Sequence, residues 1–213
     1  MTPKARRSPS DGDPLVPAWL VTGGEELRVR ETVASVLERA LEGGPAGFNR
    51  TEGSASEPLG PLLATARTPP MMGLRRAVVV REIEKAPAAA LEALLGYLAT
   101  PNPTTVLILH GQAVPDATGE RGKRLKATVE RVGRVVRFDP RDQDPVGFVV
   151  ARIEAGGCTI GRREAELLVT LVGRDLGRLA VEVDKLLAWT RGMGRITAES
   201  VEAIPASLED CHE

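Results

Sequence analysis

Trp19-Leu20-Val21-Thr22-Gly23-Gly24-Glu25-Glu26 is the stretch that decides how this chain of 213 residues folds. Its apolar run stops at a Gly-Gly pair, the pattern of a buried strand entering a turn. Beyond the turn, Val29, Val33, Val36, Leu37, Ala40 and Leu41 recur at helical spacing and line one face of a helix. Glu25 and Glu26 lie at the start of that helix, where negative charge suits the dipole. Gly43-Gly44-Pro45 stops it.

The same alternation continues downstream. A weak strand is expected near Phe48 to Thr51, then a short helix over Leu59 to Ala66, broken by Thr68-Pro69-Pro70. Ala77-Val78-Val79-Val80 and Val106-Leu107-Ile108-Leu109 are unbroken apolar runs, the pattern of strands buried on both faces. Leu91, Leu94, Leu95 and Leu98 mark a helix closed by Pro101. Leu125, Val129 and Val132 mark another, and Val135-Val136 a final strand. Strands alternating with helices imply a parallel sheet covered on both faces, an α/β fold.

After Asp139-Pro140 the period becomes helical, with no clear strand. Leu167, Leu168, Leu171 and Val172 form one stripe; Leu176, Leu179, Val183, Leu186 and Leu187 form a longer one. Thr197 is placed to cap a short last helix with Glu199 in its first turn. The expected organisation is a flexible leader over 1–17, an α/β domain over 18–141, a small all-helical domain over 142–205 and a tail over 206–213.

Composition narrows the function. Apolar residues make up 42% and charged residues 27%, which is globular. The formal net charge of −1 gives no global basic field for nucleic acid. Six aromatics in the whole chain are too few for base-stacking platforms. There is no apolar run of about 18 residues to span a membrane. The basic residues between Lys4 and Asp13 have no apolar stretch behind them, unlike a signal peptide. Cys158 and Cys211 make neither a disulfide framework nor a zinc site. A cytoplasmic protein with reduced thiols and no membrane partner is expected.

An α/β domain followed by a small helical one suggests a nucleotide-binding module with a lid. Such a module needs G-x-x-x-x-G-K-[ST] after its first strand: backbone amides and a lysine hold phosphates, and a hydroxyl holds magnesium. Gly23-Gly24-Glu25-Glu26-Leu27-Arg28-Val29-Arg30 has no second glycine at that spacing, no lysine and no hydroxyl. The acid pair that should follow a buried strand is Arg81-Glu82 here, and an arginine cannot ligate magnesium. Gly119-Glu120-Arg121-Gly122-Lys123-Arg124 has only two residues between its glycines and reads as a surface turn into a helix. Gly156-Gly157-Cys158 reads as a loop, since a catalytic Cys158 needs an activating partner. His110 reads as a strand end. No catalytic residue, cofactor site or metal site is assigned.

Two surface features remain. Residues 120–141 carry eight basic and three acidic side chains. Arg121, Lys123, Arg124 and Lys126 are candidate contacts for a phosphate backbone, with a solvated charged helix as the alternative. Thr68-Pro69-Pro70-Met71-Met72-Gly73-Leu74-Arg75-Arg76 places two adjacent methionines between a Pro-Pro break and a strand. Methionine is flexible and polarisable and suits adaptable binding surfaces. The alternative is that both fold beneath the sheet edge.

Four stretches make the chain resemble the delta subunit of bacterial DNA polymerase III, the wrench of its clamp loader. They are Leu20 to Glu26 with Arg28 and Arg30; Thr68 to Arg81; Pro103 to Leu109; and Val172-Gly173-Arg174-Asp175-Leu176 through Glu182 to Leu186 with Ile196-Thr197 and Val201. The second and fourth are the specific ones. The resemblance implies an AAA+-like, P-loop NTPase-type fold without a working phosphate loop, followed by a helical lid. In that family an apolar pair in the second segment enters a hydrophobic pocket on the ring-shaped sliding clamp and helps spring one interface open. By position the pair is Met71 and Met72, with Leu74 as support; the family's usual second residue is phenylalanine. Family members continue for about 100 residues into a helical collar that joins the loader subunits, about one domain's worth. These 213 residues are expected to lack it.

The reading is therefore a delta-type, non-catalytic subunit of the DNA polymerase (nucleotidyltransferase) holoenzyme. Its expected partners are the sliding clamp and, through a collar, other loader subunits, with DNA reached indirectly through the complex. The alternatives are a degenerate AAA+ nucleotide-binding module and a DNA-binding module outside the loader.

Overall fold

Apolar runs with no polar alternation suit strands covered on both faces, and here three of them form the inner strands of one five-stranded parallel sheet. A computed structural model describes residues 15–115, 119–190 and 194–203. Its packing divides the chain into two units, meeting between Asp142 and Gln143.

The first unit alternates strands and helices: β1 (Ala18–Gly23), α1 (Glu26–Leu41), α2 (Ala46–Asn49), β2 (Arg50–Ser54), α3 (Gly60–Arg67), β3 (Arg76–Arg81), α4 (Ala88–Ala99), β4 (Thr105–Gly111), α5 (Glu120–Val132) and β5 (Arg134–Phe138). The strand order is β2-β3-β4-β1-β5, with every neighbour parallel. β1 lies between β4 and β5, with Leu20 beside Leu109 and Val135. Alternate side chains of the sheet enter two cores. On one face Leu20, Val80, Leu107 and Leu109 join leucines of α3, α4 and α5. On the other, Trp19, Val21, Val79 and Ile108 meet Val29, Val33 and Val36 of α1.

The second unit holds α6 (Pro145–Ala155), β6 (Thr159–Ile160), α7 (Arg162–Val172), α8 (Leu176–Trp189), β7 (Arg195–Ile196) and α9 (Ala198–Glu202). Among the described residues, three of its four helices, α6, α8 and α9, start at side-chain caps. Asp144 accepts from the Gly147 amide at 3.0 Å, Asp175 from Arg178 at 2.8 Å and Thr197 from Ser200 at 3.4 Å. Arg152 grips Asp184 with two contacts of 3.0 Å, joining α6 to α8. Val149, Ile153, Leu168, Leu179 and Val183 are buried within the unit.

Four details differ from the sequence reading. Phe48 and Asn49 do not begin a strand; they end the single helical turn α2, and β2 starts at Arg50. Pro45 holds φ at −72° and accepts the Phe48 amide at 3.2 Å, so a turn forms where the apolar residue suggested extension. The helical unit also contains a two-residue parallel ladder, β6 with β7. Leu171 faces solvent instead of joining Leu168 and Val172 in the core. Leu15 and Val16, read as leader, pack against the Trp19 core. Residues 1–14 and 204–213, with the rest of the leader, the tail, Cys211 and His212, lie outside the described residues.

Two outcomes are expected from this architecture. Leu107 is fully buried in β4. Leu107→Ala should lose about 2–5 kcal/mol, read as a lower urea midpoint at unchanged slope. His110, near the end of the same strand, is held below its ordinary value of 6.5 by burial, against the opposing charges of Glu52 and Glu84 and with help from Arg81. As pH falls through 6.5 the unfolded chain takes up that proton first, so stability should fall until pH passes below the folded value. His110→Gln should flatten that part of the stability–pH profile.

Candidate docking loop and the phosphate-loop position

The methionine segment is a loop because its surroundings forbid anything else. α3 ends at Arg67, and Thr68 turns its hydroxyl back onto the Thr65 carbonyl at 2.7 Å. Pro69 and Pro70 cannot continue a helix. The chain then has to reach Arg76, the first residue of β3.

That loop is tied down by its backbone. Asn49 is almost fully buried, and both ends of its amide serve Met71. Its Oδ1 accepts the Met71 N–H at 2.7 Å, and its Nδ2 donates to the Met71 carbonyl at 2.7 Å. Arg76 is also buried, donating to the Pro69 carbonyl at 3.1 Å and the Phe48 carbonyl at 3.4 Å. Gly44 and Gly73 let the two segments approach: a Cβ on Gly44 would lie 2.9 Å from the Gly73 Cα. Met72 is held at φ +52°, a left-handed backbone that few non-glycine residues adopt.

With the backbone committed inward, the side chains go outward. Met71 is 55% exposed, Met72 84% and Leu74 79%. The methionines stand in solvent and do not fold beneath the sheet edge. Phe48, 62% exposed, is carried by the segment that holds them. Phe48, Asn49 and Arg76 were not legible as site residues. Asn49 and Arg76 act through backbone groups distant in sequence, which no spacing reveals.

At the phosphate-loop position the backbone is packed too closely for a cradle. Gly23 has φ +145°, and a Cβ there would fall 1.9 Å from the Phe138 carbonyl oxygen. A Cβ on Gly24 would lie 3.0 Å from Pro140. Glu25, at the start of α1, is buried. The Arg28 guanidinium lies 5.2 Å over the Phe138 ring. A cavity of about 450 Å³ opens at the carboxyl ends of β1, β4 and β5, the switch point where such sheets bind ligands. Its lining includes Arg137, Asp139 and Arg141 and no lysine.

Arg81 ends β3 exposed to solvent. Glu82, next in the chain, is bound at both carboxyl oxygens. It adopts φ +56° and accepts from Lys85 and from Ser54 at 2.8 Å. These hydrogen bonds, that from Lys85 first, hold its carboxyl below the usual carboxylate range. Its role is to fix the turn at Ile83–Lys85.

The basic residues of α5 lie on an exposed helix face. Arg121 and Arg124 point at Glu92 of α4, at 3.9 and 3.6 Å, and Lys123 pairs with Glu120 at 3.3 Å. Lys126 is exposed. Three of the four candidate phosphate contacts therefore face carboxylates of this chain. Gly119 begins α5, so Gly119–Arg124 is the turn into a helix that its spacing indicated. Cys158 is buried just after Gly157 at φ +80°. Among the described residues no three His, Cys, Asp or Glu gather as metal ligands, and no helix is long and apolar enough to cross a membrane.

Known proteins resemble this chain over both units. A Bacillus subtilis DNA polymerase III subunit delta is 29% identical over 203 residues, which cover 91% of this chain and 58% of that protein. The solved structure of the Bacillus subtilis DNA clamp loader delta protein superposes with a TM-score of 0.66 at 25% identity, covering 88% of this chain and 57% of that one. The chain thus spans under three-fifths of the length of these two relatives. A DNA polymerase III gamma subunit-related protein from Thermotoga maritima matches at TM-score 0.51 and 20% identity, covering 81% and 54%. A RuvB variant from the same organism matches at 0.52 and 13%, covering 89% and 61%. These last two share the AAA+-like fold alone. The family model described as DNA polymerase III, delta subunit matches residues 19–134, more than half of the sequence, and the chain belongs to that family.

Proposed function

We propose that this chain binds a sliding clamp through Met71, Met72 and Leu74 and helps open it within a clamp loader, without bond chemistry of its own. The observation that carries the reading is the exposure of the methionine pair on a tethered loop, in the segment that resembles the family's clamp-binding element. Burying each methionine in a partner's pocket contributes roughly 1.5–3 kcal/mol before the costs of association. Opening requires that the loop bind the open clamp more tightly than the closed one, because a ligand shifts an equilibrium only by its differential affinity. The collar of the longer family members would supply contacts to other loader subunits, and those subunits the ATP hydrolysis.

The turn at Gly23-Gly24 supports the absence of ATPase chemistry here. It offers no lysine, it is packed against Phe138 and Pro140, and a buried glutamate follows it.

In a binding assay on immobilised sliding clamp, Met71→Ser/Met72→Ser should lose at least tenfold in affinity, about 1.4 kcal/mol. Its unfolding free energy should stay within about 0.5 kcal/mol of the parent, since both side chains are exposed. Equal binding by parent and variant would place the contact elsewhere. Equal binding together with a steep fall in DNA affinity with salt would favour the DNA-binding alternative. Millimolar Mg-ATP should leave the melting temperature unchanged; a shift that grows with nucleotide would revive the nucleotide-binding module.

A further inference from the structure

We propose that the Gly44–Asn49 segment is the second half of the clamp-docking surface, with Phe48 as a further contact residue and Asn49 as a positioning residue for Met71 and Met72. The inference rests on the clamp-binding reading and extends it to a segment 22 residues earlier in the chain.

The two segments are knit into one unit by three kinds of contact. Asn49 makes a two-way bridge to the Met71 backbone. The buried Arg76 guanidinium collects one carbonyl from each segment. Gly44 and Gly73 meet at a distance that admits no side chain. A pair of hydrogen bonds from a buried amide fixes one residue firmly, because breaking either leaves a buried polar group unsatisfied. Phe48, one residue before Asn49, is held in the same frame yet leaves its ring mostly in water. A single exposed phenylalanine is unremarkable. Here four large apolar side chains stand exposed on two segments that are tied together, and a concentration of exposed apolar surface marks interaction sites.

The chemistry of the patch selects its occupant. Gly44–Asn49 and Thr68–Leu74 contain no charged residue, in a chain that is 27% charged. Arg50, Arg67 and Arg75 lie just beyond the two segments, but a phosphate backbone makes no use of four exposed apolar side chains and does not account for them. An apolar pocket on a protein does, and the partner already inferred for the methionines is the one that fits. Holding the loop before binding reduces the ordering cost of association. Asn49 therefore acts on affinity without touching the clamp.

The test uses the full 213-residue chain and the sliding clamp, with parent, Met71→Ser/Met72→Ser, Phe48→Ala, Phe48→Leu and Asn49→Ala compared by surface plasmon resonance. Phe48→Ala should weaken binding about tenfold and Phe48→Leu should retain most of it. Asn49→Ala should weaken the parent about tenfold but a Met71→Ser background less than threefold, because positioning matters only while the positioned side chain is present. In the free protein, Asn49→Ala should speed hydrogen exchange at the Met71 amide and leave the Leu107 amide of β4 as protected as before. If the parent binds and the methionine variant fails while Phe48→Ala binds like the parent, Phe48 is no contact, and that half of the proposal falls while the clamp reading stands. Equal losses for Asn49→Ala in both backgrounds, or faster exchange throughout the sheet, would reduce Asn49 to a fold residue and overturn its positioning role. No binding by the parent would overturn the clamp reading and this inference together.

Discussion

Burial of β1 on both faces and both edges is the constraint on which the rest of the first unit depends. All six of its residues are inaccessible, with β4 on one edge, β5 on the other, α1 over one face and α5 beneath the other. A strand so enclosed has to be apolar throughout and has to end in residues with no side chain. Gly23 meets the Phe138 carbonyl where any Cβ would collide, and Gly133 meets the Ala18 carbonyl in the same way at the other end of β5. The glycines in this turn are thus explained by strand packing. A glycine pair after a first strand is no sign of a Walker-type phosphate loop unless the lysine and hydroxyl accompany it.

That packing has a consequence for where function can lie. In a sheet with this strand order the carboxyl ends of β1 and its neighbours form the natural ligand crevice. Here the crevice survives as a cavity, but its turn is pressed against Phe138 and Pro140 and is followed by a buried acid. The exposed apolar chemistry lies instead at the opposite end of β3, on the loop that leads into the strand. A sheet built on the AAA+-like plan therefore presents its candidate site at the amino end of an inner strand. The same scaffold supports both arrangements because the core fixes the strands and leaves the loops to chemistry.

Much of this was legible in the residues. The strands at β1, β3 and β4 are unbroken apolar runs, and two-sided burial leaves no other pattern available. The helices of the second unit announce themselves through period, and the last of them through its cap at Thr197. The methionine loop was visible because Pro69-Pro70 breaks the helix and leaves two neighbouring apolar residues with no shared face. What was hidden depends on long-range backbone contacts. Phe48 looks like a strand residue because aromatics favour strands, and only the Pro45 turn and the Asn49–Met71 bridge make it otherwise. Arg76 reads as one more surface arginine beside Arg75. Its burial follows from two carbonyls that converge on it from segments far apart in sequence.

The tethering also bears on how a loop can do mechanical work. A flexible loop that enters a pocket transmits no strain, because it absorbs any displacement by rotating its own dihedrals. A loop that is to favour one state of its partner has to resist displacement. This one is anchored at Pro69 and Phe48 by Arg76, the first residue of an inner strand whose other residues form the ladders to β2 and β4. Force on Met71 passes through Asn49 and on Met72 through the adjacent backbone, and both lead within a few residues to the sheet. A left-handed backbone at Met72 fits the same demand, since a strained conformation persists only where its surroundings over-determine it. Rigidity at the base and flexibility in the methionine tips are complementary: under the proposed clamp docking, the base would fix where the loop enters, and the unbranched side chains would adapt to the pocket.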